Sequence, residues 1–486
     1  MIRRLRRPEG AVWGMIALYA GLFSYLSVAR QRAFWTGRFD VGNMVQAVWS
    51  TAQGRPLETT DVAGRQFVRL GTHVDPILVL FTPLAWTPVL PEALLVAQTL
   101  IVAAGALPAF WLGRRWLGDD RLAVAAAAVY LLYPPLQWAT VTEFHPVTLA
   151  APLLMFCIWA AEERRYLLLS VFSVLAALTK EEVGLALAML GLWMVVRGAG
   201  RRYGAFLAAA SLAWVAFAVL VVIPHYNAGE GSEFVDRYAS LGADGGGVAH
   251  TLVTRPWEAV EVAVTYDRMS YLVALLAPLA FLPLLAPLLA AGALPEVLIN
   301  ILADYFPQYS IEFQYVAVIV PFVVAASILG LARLRRRPPH ALARPLAHAR
   351  GVAAVWVGVV ALSGVYLGPL PWWNAVPAVG SDDRVEQYRV TDHSRAMARA
   401  VALIPESVPV SAGNLLGAHL SGRERVYTFP VIGDARWIVV DTHRPYLADR
   451  LLPRAHAARV EALMARPDIR RVFSEDGVMV FRRAGP

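Results

Sequence analysis

The chain has 486 residues, 57% hydrophobic and only 16% charged, with a net charge of +8. A soluble protein carries roughly 25% charge, so too few charges remain here to cover a water-facing surface, and a disordered, collagen-like or coiled-coil chain is excluded. The surplus of 44 Lys+Arg over 36 Asp+Glu fits the cytoplasmic loops of a membrane protein better than a nucleic-acid surface. Cys157 is the single cysteine, which removes any intrachain disulfide or cysteine-based metal site. Lys180 is the single lysine in a chain rich in Arg, Ala and Pro. That bias suggests a GC-rich bacterial genome, and a lone lysine inside an apolar region stands out against it.

The N-terminus carries Arg3, Arg4, Arg6 and Arg7 before an apolar run from Ala11 to Val28. The run is long enough to span and no small-residue cleavage site follows, so it reads as an uncleaved first helix with a cytoplasmic N-terminus. A span needs about 20 apolar residues. On that basis eleven spans are expected, at 12–30, 93–115, 121–138, 146–161, 165–180, 183–197, 204–224, 270–287, 289–303, 314–332 and 351–370. Arginines at 114, 115, 121, 164, 165, 197, 201, 202, 333 and 335–337 all fall on the cytoplasmic side of this register, as the distribution of positive charge requires. The C-terminus is then external.

Two external loops are long, 31–75 and 225–268. The first contains an amphipathic stretch, Val41 to Ala52, that reads as a helix lying in the membrane interface. Residues 76–90, broken by Pro83 and Pro88, read as a re-entrant or surface segment. Gly245-Gly246-Gly247 reads as flexible loop. After Pro371 charge rises and long apolar runs stop. The pattern there predicts a helix at 394–403, a strand at 408–411, a helix or turn at 414–420 and a strand at 437–440. A helix at 455–465 and a strand pair at 472–474 and 478–481 follow. The expected fold is mainly α: a polytopic helical membrane domain over 1–370 and a small external α/β domain over 371–486.

Ionisable groups at span ends are expensive, roughly 2.5–3.5 kcal/mol each on insertion scales, and are candidates for function. The topology gathers Asp40, His73, Asp75, Glu143, His145, Lys180, Glu181, Glu182, Glu312 and Tyr315 on the external face. Asp40 precedes the amphipathic stretch and suits a helix N-cap, a general base or a metal ligand. Glu143 and His145 could orient one another or share a proton, and His73 and Asp75 have a similar form. A metal is not the expected solution, since no His-x-x-x-His or cysteine set is present. Lys180 pairs with Glu181 or Glu182, or contacts a phosphate near the outer leaflet. Arg65 and Arg69 could also meet phosphate or simply face solvent. Tyr309 and Tyr315 suit an aromatic belt, whereas Glu312, beside Gln314, does not.

Several motifs occur in a fixed order: Phe39-Asp40-x-Gly42, Gln46-Ala47-x-Trp49, His73-x-x-Pro76-Ile77-Leu78, Glu143-Phe144-His145-Pro146, Leu178-Thr179-Lys180-Glu181 and Ile311-x-Phe313-Gln314-Tyr315. Together they resemble a bacterial multispanning family, domain of unknown function 2079. The resemblance covers about 35–330 and extends through Ala412–Pro430. That family is similar to the GT-C glycosyltransferases. The resemblance implies transfer of a sugar from a polyprenyl-phosphate carrier, with the acid of the first external loop, Asp40, in the catalytic place. Glu143 and His145 would assist it. Lys180, Arg65 and Arg69 would hold the donor phosphate, and His73, Asp75, Glu181, Glu312, Gln314 and Tyr315 would line the cavity. The implied partners are the bilayer, a lipid-linked sugar and an envelope glycan, lipid or protein acceptor, in the bacterial cytoplasmic membrane and with no cofactor. A transporter or flippase, or a non-catalytic assembly protein, are the alternatives. The absence of an internal repeat and the one-sided gathering of ionisable groups favour the enzyme.

Overall fold

The computed structural model describes residues 2–198, 200–231, 233–370, 383–444 and 453–484. The expected domain boundary at 371 lies outside them. Among the described residues four helices are long and apolar enough to cross a bilayer: Pro8–Arg32, Leu90–Leu117, Arg201–Tyr226 and Ala349–Leu367. The helix pair Asp120–Leu132 and Pro134–Val141 is long and apolar enough only when taken together, and it bends by 47° where Pro134 cannot donate to the helix ladder. Shorter apolar helices cover Pro146–Glu162, Tyr166–Ala177, Val183–Arg197 and Pro287–Ile301.

The single helix expected over 270–287 is not formed. Helix Tyr266–Leu276 ends there, and short 3₁₀ turns follow at Ala277–Leu279 and Leu282–Leu285. Pro278, Pro283 and Pro287 interrupt the ladder, and Ala280 and Phe281 take positive φ. The expected span at 314–332 begins at Ile319 and runs to Arg336, with residues 319–332 all buried in protein.

The helices Val183–Arg197 and Arg201–Phe217 form a close hairpin. Gly198, at φ +74°, ends the first helix in a left-handed cap. A Cβ on Gly191 would lie 2.5 Å from the Gly204 carbonyl oxygen, and one on Gly204 would lie 2.6 Å from that of Gly191. Small residues allow this backbone approach. Gly204→Val is expected to force the pair apart and cost about 1–3 kcal/mol, read as a lower melting temperature in detergent. An unchanged melting temperature would show that the crossing is not tight.

Three features of the two long loops go beyond the sequence reading. The amphipathic helix, Asn43–Ala52, turns its apolar face into protein. Its Met44, Val45, Ala47 and Val48 are buried in protein, packed against the 3₁₀ segment Pro76–Trp86 and the strand β1, Glu58–Thr60. β1 pairs antiparallel with β2, Gln66–Val68, a hairpin too short to show in the sequence. Gly245–Gly247 opens a helix, Gly245–Thr254, because Asp244 accepts the Gly247 N–H as an N-cap.

The C-terminal part is a five-stranded mixed sheet. Its strands are β3 (Val410–Ala412), β4 (Val426–Thr428), β5 (Trp437–Asp441), β6 (Ile469–Glu475) and β7 (Val478–Arg483), in the order β4-β3-β5-β7-β6. β3 runs parallel to β4 and β5, whereas β7 is antiparallel to β5 and β6. The two-residue period of the strands gives each face its own core. Val439 and Val480 meet Ala396, Met397 and Ala400 of helix Asp392–Ala402. Ile438, Val440, Met479 and Phe481 meet Val460 and Leu463 of helix Pro453–Met464. β4 was not expected from the sequence.

This domain packs on the end of the first helix. His419 stacks on Phe34 with ring centres 3.8 Å apart, and the Ser394 hydroxyl donates to the Ala33 carbonyl at 3.2 Å. Burial pushes the His419 imidazole down to about 4, against a weaker upward pull from a backbone hydrogen bond at Gln31. The unfolded chain therefore binds the extra proton first. Stability is complete above about pH 6.5 and is lost progressively as the pH falls towards 4, by roughly 2–3 kcal/mol. His419→Gln is expected to flatten that decline in urea melts at pH 7 and pH 5. An equal acid loss in the variant would assign it to other groups.

Candidate functional site

Asp40 sits in a π-helical turn, Arg38–Gly42, and its side chain caps no helix. Its carboxylate instead meets His145 Nε2 at 3.0 Å. A carboxylate accepts only, so the proton lies on Nε2, and Nδ1 is buried without a hydrogen-bond partner among the described residues. Glu143 does not share a proton with His145. Its carboxylate accepts the Gly37 N–H at 3.1 Å and the Val41 N–H at 3.0 Å, so it holds the loop that carries Asp40. Burial, and then the Asp40 charge, pushes the Glu143 carboxyl well above the usual carboxylate range. Buried Gln98 fixes this segment from below, donating to the Glu143 carbonyl at 2.8 Å and accepting the His145 N–H at 2.9 Å.

The C-terminal domain grips the other side of the same loop. Asn414 Oδ1 accepts the Phe39 N–H at 3.1 Å. Arg38, fully buried, donates to the Thr428 hydroxyl at 2.8 Å and to the Thr60 carbonyl at 2.5 Å.

Two cavities meet at Asp40. The larger, about 520 Å³, is lined by Asp40, His145, Arg65, Arg69, His73 and Arg237, among others. The smaller, about 330 Å³, takes in Arg30, Trp35, Glu143, Phe313 and Arg444. Asp40, His145, Tyr305, Gln314 and Tyr315 line both and form the wall between them.

The residues expected to bind phosphate divide differently from the sequence reading. Arg69 is paired with Asp75 at 2.8 Å, and both side chains are almost wholly buried. Asp75 is thus an ion-pair partner, neither a cap nor a cavity residue. Arg65 is largely exposed and bonded to Asp61 at 2.7 Å. Lys180 lines neither cavity. It pairs with Glu182 at 2.5 Å and lies behind the Tyr315 ring, 5.8 Å from its centre. Glu181 stands behind His73, bonded to its Nδ1 at 3.1 Å and to the Val74 N–H at 2.9 Å. Burial opposes its ionisation, but the His73 hydrogen bond and the Lys180 ammonium outweigh this and hold the carboxyl below the usual carboxylate range. Glu312 is also outside both cavities, and its carbonyl accepts the Thr142 hydroxyl at 2.8 Å.

A model of the family described as Predicted membrane protein (DUF2079) matches residues 30–453. The chain belongs to this family. No curated protein matches it. Among solved structures, ArnT from Cupriavidus metallidurans in the apo state is 12% identical, with 97% of this chain and 99% of ArnT covered at a TM-score of 0.53. ArnT bound to undecaprenyl phosphate is 13% identical over the same shares, with a TM-score of 0.49. The archaeal oligosaccharyltransferase AglB from Archaeoglobus fulgidus, in complex with an inhibitory peptide and a dolichol-phosphate, is 12% identical. That comparison covers 86% of this chain and 69% of AglB at a TM-score of 0.45. The apo ArnT superposition establishes the fold of this DUF2079 protein: a multipass helical membrane protein of GT-C type, with a small sheet region at its C-terminus.

Sequence reasoning missed Arg237, which lies in the turn Glu233–Tyr238 of the second long loop. Its guanidinium stacks 4.3 Å from the Phe234 ring centre and 4.4 Å from that of Tyr305. It donates to Gln308 and to the Tyr315 hydroxyl, each at 3.2 Å, and has no carboxylate partner among the described residues. The available signal was an arginine three residues after a phenylalanine in an otherwise acidic loop. Arg30, Trp35 and Arg444 were missed as well, since only the docking of the C-terminal domain brings them to the smaller cavity.

Proposed function

We propose that this protein is a membrane glycosyltransferase. It moves a sugar from a polyprenyl-phosphate donor to an envelope acceptor at the external face of the bacterial cytoplasmic membrane. The observation that carries the reading is the Asp40–His145 pair at the junction of two cavities. A transferase must hold two substrates with one reactive group between them, and a single enclosed cavity would not do so. ArnT, whose fold this chain shares, has been crystallised with undecaprenyl phosphate, a donor carrier of the proposed class.

The acceptor hydroxyl gives its proton to Asp40 as its oxygen bonds to the anomeric carbon, and the bond from that carbon to the phosphate oxygen breaks. His145 orients the Asp40 carboxylate through its Nε2–H. Charge develops on the departing phosphate, and a preorganised cation there lowers the barrier. Arg237 suits that role because Arg65 and Arg69 are already neutralised by Asp61 and Asp75. Arg237→Gln is expected to lower transfer at limiting donor by about 10–100-fold with normal amounts of inserted protein, as the loss of one charge-assisted contact implies.

The direct test uses the purified chain in nanodiscs with a polyprenyl-phosphate sugar, alongside lipid-linked sugars and envelope glycans from cells with and without the gene. Accumulated donor and a missing glycan in the deleted strain are the expected results. Unchanged lipid-linked sugars and glycans would defeat the transferase reading.

A further inference from the structure

A second cluster of ligating side chains lies in the C-terminal domain, apart from Asp40. His393 comes from the first turn of helix Asp392–Ala402, His443 from the turn after β5, and Asp476 from the β6–β7 turn. His393 Nδ1 is 2.9 Å from Asp476 Oδ2, and His443 Nδ1 is 3.0 Å from Asp476 Oδ1. The three candidate ligand atoms all lie within 4.8 Å of one another.

We propose that His393, His443 and Asp476 form a binding site for a divalent transition metal of the zinc class. In a tetrahedral site with bonds of about 2.0–2.2 Å, neighbouring ligand atoms stand about 3.3–3.5 Å apart, a few tenths of an ångström beyond the 2.9 and 3.0 Å that separate each ring from Asp476. With one nitrogen from each ring and one Asp476 oxygen, the protein supplies three ligands and leaves the fourth position open to water.

Turn chemistry alone accounts for Asp476. It and Gly477 both take positive φ, at +45° and +78°, as the Asp-Gly pair of a two-residue hairpin does. It does not account for two imidazoles from remote elements converging on that aspartate. Two further features are built around them. First, His393 Nε2 lies 2.9 Å from Asp441 Oδ2, and Asp441 is buried. That bond keeps the proton on Nε2, the outer-partner arrangement of metal-binding histidines, and a bound metal takes the place of the proton that Nδ1 otherwise shares with Asp476. Second, Gly477 makes room for the His443 ring. A Cβ there would meet His443 Cγ at 2.5 Å.

The site has a structural consequence within reach of the cavities. Asp441 Oδ1 accepts the backbone N–H groups of His443 at 2.9 Å and Arg444 at 3.2 Å. Arg444 stacks over the Trp35 ring, 3.5 Å from its centre, and both line the smaller cavity. A metal bound by His393 and His443 fixes the turn that presents Arg444 to that cavity. This role does not depend on the transferase reading.

The test uses the full chain in nanodiscs, stripped with EDTA and titrated with Zn²⁺ or Co²⁺. One high-affinity Zn²⁺ per chain is expected, together with the visible absorption of tetrahedral Co²⁺. His443→Ala and Asp476→Asn change exposed side chains on turns and should each weaken binding at least tenfold without lowering the yield of inserted protein. Absence of stoichiometric metal in the parent protein would overturn the site, leaving a hydrogen-bonded His–Asp cluster only. So would an octahedral Co²⁺ spectrum, or parental affinity in either variant.

Discussion

Asp40→Asn should reduce glycosyl transfer by about 10²–10⁴-fold, the range expected for loss of a general base. The amide keeps the side chain's size and can still accept the His145 Nε2–H, so the loop and the amount of inserted protein should hold. His145→Gln should have a smaller effect, because it removes the orienting bond of 3.0 Å and leaves the carboxylate. The measurement is turnover of a defined polyprenyl-phosphate sugar by both variants in nanodiscs. Full turnover by Asp40→Asn would remove the general-base role and leave the two cavities without a reactive group.

The largest stability effect is expected at Asp75. Its side chain is 2% exposed and that of its partner Arg69 is 6% exposed. Asp75→Asn strands a buried guanidinium, and such losses cost about 3–5 kcal/mol. Arg69→Met combined with Asp75→Leu removes both charges and should recover most of that stability. Inserted yield and thermal unfolding of the single and double variants check this. A double variant no more stable than Asp75→Asn would mean that packing, not the stranded charge, sets the cost. Activity reads out separately, since Arg69 also lines the larger cavity.

Much of the candidate site was legible because it is made of local motifs. Asp40, Glu143 and His145 each stand out as polar groups beside apolar runs, and the structure brings all three together. Their division of labour was not legible. Whether Glu143 faces a ring or a backbone depends on Gly37 and Val41, about a hundred residues earlier. For Lys180 the sequence left open an ion pair with Glu181 or Glu182 and a phosphate contact, and in the structure Glu182 is its partner. Arg237 and Arg444 carry no motif, and only tertiary packing brings them to the cavities. In the fold, helices with unbroken apolar runs matched the hydropathy pattern. The stretch 277–293 did not, because hydropathy averages over prolines that the backbone ladder cannot ignore. Strands of three residues, β1, β2 and β4, are too short for a two-residue period to emerge.

The grip of the C-terminal domain on the Asp40 loop bears on how such proteins can be recombined. Asn414 holds Phe39, and Thr428 holds Arg38. Gly42 lies so close to the domain that a Cβ there would meet the Ser421 hydroxyl at 2.7 Å. Gln46 donates to the Glu424 carbonyl at 2.8 Å. The domain is therefore not an interchangeable attachment. A chimera that takes this domain from one relative and the membrane portion from another must carry residues 37–46 along with the donor domain. Without them the Asp40 loop is held by mismatched halves.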